Sequence, residues 1–361
     1  MTHILYYITS HGYGHAVRSA AVCNSLGMLS DDIRITVKSD VPARFFEEEL
    51  TVPHSVIEGS FDVGCLQRDG ITVLIEETLK TYSGISANNA LLLDDEARWC
   101  ADNKVGCIVS DITSFAFDVA DKANVPSIAI SNFTWYDIYL PYIDRFPQYA
   151  PVLPAMADQY GKATLALALY PSSPMLAFKN KMQIPIVGKK GQNRRAEIFD
   201  RFGINHGKRL GLIYTGNFGL DSVNWRRLEN FRGWEFVGVY PLPGDPKNFH
   251  TVTKDQFRYG ELSASADAII GKMGYGVFSE SLLNGVPLIY LPREDFSEFP
   301  ILDAEAKRLG SGVCIDAKKF AALEWLDILE DAVAMNGIKP ADGGGAAICA
   351  SEIIKLFNCG R

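Results

Sequence analysis

The amino-acid sequence predicts two doubly wound, parallel α/β domains in tandem. Three observations carry this reading. Short apolar runs recur along all 361 residues, segments of helical period separate them, and the alternation lapses once, in a stretch rich in proline, glycine and lysine. Parallel strands joined by crossover helices read as near-continuous apolar runs because both faces of the sheet are covered.

The first run, His3 to Thr9, passes through Ser10-His11-Gly12-Tyr13-Gly14-His15 into a helical pattern from Ala16 to Met28. Further runs at Ile33 to Val37, Ser55 to Ile57, Val105 to Val109, Ser127 to Ile130 and Leu165 to Leu169 alternate with helix-length segments such as Thr72 to Tyr82. Between Pro171 and Gln192 the periodicity breaks, with three prolines at 171, 174 and 185 and glycines at 188 and 191. This places an N-terminal Rossmann-like domain over 1–180 and a linker over 181–192. The alternation then resumes with a helix near Arg194 to Phe202 and strands at Leu210 to Tyr214, Phe236 to Val239, Ala268 to Ile270, Leu288 to Leu291 and Val313 to Ile315. A second Rossmann-like domain is expected over 193–345, then a C-terminal helix over 346–361 that can pack back toward the first domain. Ligands of such sheets bind outside the carboxyl ends of the strands, so an interdomain cleft with Gly-rich loops on both walls is expected.

Composition narrows the class. With 47% hydrophobic and 22% charged residues the chain reads as an ordinary soluble globular protein. Its 35 basic and 43 acidic residues give a net charge of −8, which argues against a phosphate-backbone partner, so nucleic acid is not expected. Seven cysteines lie scattered without a Cys-x-x-Cys pair and read as reduced, small hydrophobes of a cytoplasmic protein. No leader pattern precedes the first strand, and no apolar run approaches the ~20 residues that cross a bilayer. Peripheral contact with a membrane stays open.

The turn at 10–15 holds the first chemistry. Gly12 and Gly14 let the backbone approach an anion, and a helix start offers unpaired N–H groups and a positive dipole end. His11 and His15 titrate near neutrality, which adds proton transfer to anion binding. The plainer reading is a turn whose glycines serve geometry and whose histidines are solvated or capping. Two loops of the second half are built alike: Thr215-Gly216-Asn217-Phe218-Gly219 after one strand, and Gly271-Lys272-Met273-Gly274-Tyr275-Gly276 after another. Neither matches the G-x-G-x-x-G dinucleotide fingerprint or the Gly-Lys-Ser/Thr ending of a P-loop, which weakens a dehydrogenase or NTPase reading. In the aromatic stretch from Phe133 to Tyr142, residues Trp135, Tyr139 and Tyr142 share one helical face, a stripe that is more often core than ligand platform.

The most specific signal follows the second loop. Ser279-Glu280-Ser281-Leu282-Leu283-Asn284-Gly285-Val286-Pro287 leads to a strand and then to the acidic loop Arg293-Glu294-Asp295-Phe296-Ser297-Glu298. The Gly-x-Gly, Ser-Glu and Gly-Val-Pro pattern resembles the donor-nucleotide site of GT-B glycosyltransferases. It is similar to that of the bacterial enzymes that add N-acetylglucosamine to lipid-linked muramyl peptide. The Gly-Tyr-Gly-His and Gly-Lys-x-Gly-Tyr-Gly motifs, Val-Ser-Asp and Asn-Phe-x-Trp resemble most closely the glycosyltransferase-like module at the amino end of plant L-arabinose kinases.

The resemblance implies roles. Glu280 matches the carboxylate that accepts hydrogen bonds from both ribose hydroxyls, next to Ser279 in the motif. Gly274, Tyr275 and Gly276 would line the diphosphate at a helix start, with Lys272 as a point charge. Gly216, Phe218 and Gly219 match a loop that closes near the diphosphate. Asp295 and Glu298 lie where related enzymes hold the hydroxyls of the transferred sugar, with the choice between them open. His15 matches the histidine that closes the Gly-rich loop and would deprotonate the acceptor, with His11 as the competing base. Asp111, at a strand end, would orient the imidazole or instead cap the next helix.

These roles together imply a GT-B glycosyltransferase that moves a sugar from a nucleoside-diphosphate sugar, uridine being the expected base, to an acceptor hydroxyl. The acceptor would be a sugar, a lipid-linked molecule or another small molecule. Inversion is expected, and no cofactor or metal is required, since no Asp-x-Asp pair is present and loop N–H groups can meet the diphosphate charge. The alternatives are a nucleotide-sugar 2-epimerase of the same fold and a non-catalytic nucleotide-sugar binding module.

Overall fold

The computed structural model describes residues 2–68, 72–214, 223–334 and 338–359. The chain divides into two units, Met1–Leu66 with Leu74–Gly188 and Gly344–Arg361, and Gln67–Val73 with Lys189–Gly343. No helix among the described residues is long and apolar enough to cross a membrane.

Seven parallel strands form the sheet of the first unit: β1 (Thr2–Ile8), β2 (Ile33–Lys38), β3 (His54–Ile57), β4 (Val105–Asp111), β5 (Ser127–Ser131), β6 (Leu165–Leu169) and β7 (Lys181–Ile184). Their order is β3-β2-β1-β4-β5-β6-β7. Strand β1 reads THILYYI and is apolar on both faces because helices cover both, with Leu5, Tyr6 and Tyr7 all fully buried. The direction of winding reverses between β1 and β4, where Ile8 pairs with Asp111. A crevice therefore opens at the carboxyl ends of these two strands.

The second unit has six parallel strands, β8 (Arg209–Tyr214), β9 (Trp234–Gly238), β10 (Phe249–Thr251), β11 (Ala268–Lys272), β12 (Leu288–Leu291) and β13 (Gly312–Cys314), in the order β10-β9-β8-β11-β12-β13. Its reversal lies between β8 and β11, where Tyr214 pairs with Gly271. An aromatic core of Trp225, Phe231, Trp234, Phe236, Phe320 and Trp325 closes one face of this sheet.

Several elements differ from the sequence expectation. Residues 181–184, read as linker, form the edge strand β7, and the three-residue β10 carries too short a pattern to read. The helix expected over Thr72 to Tyr82 is Ile75–Asp102, 28 residues long, because Ser83-Gly84 and Asn88-Asn89 interrupt its apolar period without ending it. The last helix, Gly345–Cys359, belongs to the first unit, where it packs on the helix Tyr13–Leu29 and on β4. Phe357 lies so close over Gly106 that an added Cβ there would sit 2.2 Å from its ring.

Candidate active site

In the first unit the chain leaves β1 through Gly12, whose φ of 88° excludes most side chains, and enters the helix Tyr13–Leu29 directly. This swings His15, Arg18 and Ser19, spaced i, i+3 and i+4 on one helical face, over the end of β4. Asp111, the last residue of β4, is fully buried and receives all three. His15 Nδ1 lies 2.8 Å from Asp111 Oδ1. Arg18 donates from Nη2 to Oδ1 and from Nε to Oδ2, both at 2.6 Å, and Ser19 donates from Oγ to Oδ2 at 3.0 Å. Arg18 also donates to Asn132 Oδ1 at 2.7 Å. Burial alone would raise the Asp111 pKa, but the charges and hydrogen bonds of Arg18 and His15 hold it at about 2.

Asp111 is therefore ionised over the working range and is fully engaged with His15 and Arg18. Its oxygens do not cap the following helix Phe115–Ala123, whose N-cap residue is Ser114. Arg18 Nη2 also approaches His15 Nδ1, to 2.9 Å. The carboxylate is the stronger acceptor, so Nδ1–H donates to Asp111 and the lone pair resides on Nε2, the tautomer a base requires. His11 is placed differently. Its Nδ1 accepts the N–H of Cys65 at 3.1 Å, which puts its proton on Nε2, and its ring meets Trp135 edge-on at 5.2 Å. Trp135, Tyr139 and Tyr142 are buried core.

A second carboxyl group stands nearby. Asp62, buried, accepts from Thr9 Oγ1 at 2.6 Å and from Thr113 Oγ1 at 2.5 Å, tying the loop after β3 to the ends of β1 and β4. Burial raises its pKa against the pull of those hydroxyls and of His15. Gly12 and Gly14 are exposed beside this cluster, with open space where side chains would stand.

In the second unit Lys272 ends β11, and Gly274 precedes the helix Tyr275–Asn284. Lys272 is half-buried; burial, with the Arg293 charge beyond it, brings its pKa down to about 8. Tyr275 and Ser279 are buried and Gly276 is exposed. Ser279 Oγ is enclosed without a hydrogen-bond partner among the described residues. Glu280, the next residue, is half-buried. Burial pushes its pKa up to about 7, opposed by the Asn284 amide and the Ser263 hydroxyl. Past β12, the Arg293 guanidinium lies 3.8 Å above the Phe296 ring and 3.9 Å from Glu298 Oε2, with both charged side chains buried. Asp295 is exposed with φ 55°, so Glu298 is the carboxylate held inside this loop. Gly216, Phe218 and Gly219 lie outside the described residues.

The chain thus carries a polar cluster at each reversal point. No family model matches the sequence. The sequence is 28% identical over 365 residues to L-arabinokinase of Arabidopsis thaliana, covering 99% of this chain and 34% of that protein, so the chain spans about a third of the relative's length. Among solved structures, UGT2 of Phytolacca americana, complexed with UDP-2-fluoro-glucose and pterostilbene, superposes with a TM-score of 0.61 at 15% identity, covering 99% of this chain and 94% of that one. MurG of Acinetobacter baumannii gives 0.55 at 13% identity, with 98% and 100% covered. The fold is GT-B. A UDP-N-acetylglucosamine 2-epimerase homologue of Listeria monocytogenes, described as such only provisionally, shares the GT-B architecture at a TM-score of 0.62 and 14% identity, with 99% and 96% covered.

Sequence reasoning did not single out Arg18, Ser19, Asp62 or Asn132 in the first cluster, nor Asn284 and Arg293 in the second. One signal for Arg18 was available. A long cation at i+3 from His15 falls on the helix face otherwise filled by Ala16, Ala20, Val22 and Cys23, where an unpaired charge would not be tolerated.

Proposed function

We propose that this chain is a glycosyltransferase that takes a sugar from a uridine-diphosphate sugar and passes it, with inversion and without a metal, to the hydroxyl of a sugar, lipid-linked or other small-molecule acceptor. The observation that carries the reading is the His15–Asp111 pair at the reversal point of the first sheet, because binding alone needs no oriented imidazole there. In this reading His15 Nε2 takes the proton of the acceptor hydroxyl as its oxygen attacks the anomeric carbon, and Asp111 stabilises the imidazolium. The bond from the anomeric carbon to the diphosphate breaks on the opposite side. The departing charge is met by the N–H groups at the start of the helix Tyr275–Asn284 and by Lys272. Glu280 accepts from the ribose hydroxyls, and Glu298 faces the hydroxyls of the sugar. The fold and the nucleotide-sugar enzymes that share it support this assignment.

The test is a thermal-shift panel of nucleoside diphosphates and their sugars, followed by product analysis with and without acceptors. Uridine compounds are expected to raise the melting temperature. Transfer needs an acceptor, whereas a converted donor without one would point to epimerisation, and binding without product to a non-catalytic module. Chelator should leave binding and turnover unchanged; a loss restored by magnesium or manganese would contradict the metal-independent reading.

Glu280 gives a sharper expectation. Its pKa rises from the ordinary carboxylate range to about 7 on folding, so ionising it opposes the folded state as pH climbs through that interval. Glu280→Gln should therefore melt higher than the parent at pH 8 and equally at pH 4, yet lose the uridine-diphosphate-sugar shift. In the parent, donor affinity should rise with pH through about 7, as the carboxyl ionises. A variant that binds donor normally would remove Glu280 from the ribose site.

A further inference from the structure

The carboxylate of Glu280 does not stand alone. Asn284, one turn along the same helix, donates from Nδ2 to Glu280 Oε2 at 3.1 Å and to the Glu280 carbonyl at 2.9 Å. Its other amide atom, Oδ1, accepts the backbone N–H of Gly191 at 2.9 Å. Gly191 lies three residues past Gly188, where the chain passes from the first unit to the second. It is pressed against the carbonyl of Gly260, 1.8 Å from where a Cβ would be, so no side chain fits. A Cβ on Gly260 would in turn lie 3.8 and 3.9 Å from the two Glu280 carboxylate oxygens. Three chain segments distant in sequence thus close around one carboxyl group, and one amide links two of them.

On the reading of Glu280 as the ribose acceptor, we propose that Asn284 is a positioning residue. Its Nδ2 fixes the carboxylate in the rotamer that receives the ribose hydroxyls, and its Oδ1 ties that grip to the segment at Gly191, near the start of the second unit's main stretch. The physical argument is one of freedom. A glutamate on a helix surface has three side-chain torsions, and holding one oxygen from the same helix removes most of that freedom before the nucleotide arrives. A rigid acceptor facing a ribose diol discriminates strongly against a deoxyribose, which leaves the half-buried carboxyl without those donors.

Two substitutions separate the two halves of the amide. Asn284→Asp keeps an oxygen to accept the Gly191 N–H but replaces the donor to Glu280 with a repelling charge. Asn284→Ala removes both contacts. Binding of UDP and of 2′,3′-dideoxy-UDP is measured by calorimetry at pH 8 for the parent, both variants and Glu280→Ala. The parent should prefer UDP by roughly 10- to 100-fold, the range of hydrogen bonds to a charged group. Both Asn284 variants should reduce that ratio to within about threefold of unity while binding of the dideoxy compound stays near the parent value. In a Glu280→Ala background, Asn284→Ala should cost no further affinity for UDP.

If Asn284→Asp keeps the parental ratio while Asn284→Ala lowers it, the residue only secures the segment at Gly191 and the positioning role is wrong. If neither variant alters the ratio, the proposal also fails, although the ribose assignment of Glu280 stands as long as Glu280→Ala abolishes the preference. No UDP binding by the parent overturns the nucleotide reading, and this proposal with it.

Discussion

His15→Ala is expected to bind a uridine-diphosphate sugar with the parental thermal shift and to transfer the sugar about 10²- to 10⁴-fold more slowly, the range typical of a lost general base. The nucleotide contacts proposed here all lie on the second unit, so binding and chemistry separate in this variant. The loss should fall on turnover rather than on donor affinity. Comparison with His11→Ala decides between the two histidines. His11 accepts the Cys65 N–H through Nδ1 and carries its proton on Nε2, so its removal should disturb the loop at 64–65 without reaching the same deficit. A His15→Ala enzyme with unimpaired transfer would make the first cluster a scaffold, and the mechanism given above would be wrong.

The second large effect is on stability. Arg18 and Asp111 are an ion pair in the interior, with two donor–acceptor contacts of 2.6 Å and side chains that are 6% and 0% exposed. Removing one partner strands the other charge away from water. Arg18→Met or Asp111→Leu alone should destabilise the first unit by about 3–5 kcal/mol. Hydrogen exchange at the amides of β4 and of the helix Tyr13–Leu29 should report it, because these elements carry the pair. Combining Arg18→Met with Asp111→Leu removes both charges at once and should recover most of that stability, while transfer stays as low as in His15→Ala, since the imidazole has lost its orienting acceptor. Little destabilisation by either single change would show that the pair is already well solvated, contrary to its burial.

The fold was legible where burial is two-sided. Strands such as β4 and β12 present apolar residues on both faces, and their boundaries in the sequence lie within two residues of those observed. Edge strands carry less of this signal: β7 reads KMQI, with Lys181 and Gln183 exposed, and a polar alternation four residues long resembles a loop. Among the candidate residues, His15, Asp111 and Lys272 stood out because each ends a strand or lies in the first turn of a helix, the places where the chain pattern itself changes, and Glu280 stood out through the Ser-Glu and Gly-Val-Pro motif around it. Arg18 and Asn284 were not. Arg18 meets Asp111 across 93 residues of sequence, and Asn284 meets Gly191 across 93 as well. Such pairings are set by sheet order and helix placement, which local composition does not encode. An arginine or asparagine on a helix reads by default as a solvated residue.

The return of the last helix to the first sheet sets an order on assembly. As the chain emerges from the ribosome, the seven strands through β7 are complete by residue 184, yet the helix that covers the back of Tyr13–Leu29 and seats Phe357 over Gly106 begins only at Gly345. For the whole interval in which the second unit is synthesised, that apolar face lacks its cover. Apart from Gln67–Val73, the second unit is thus topologically a guest inserted between the body of the first and its last helix. Chaperone capture and proteolysis should therefore act on the helix Tyr13–Leu29 of nascent chains that stop short of residue 345.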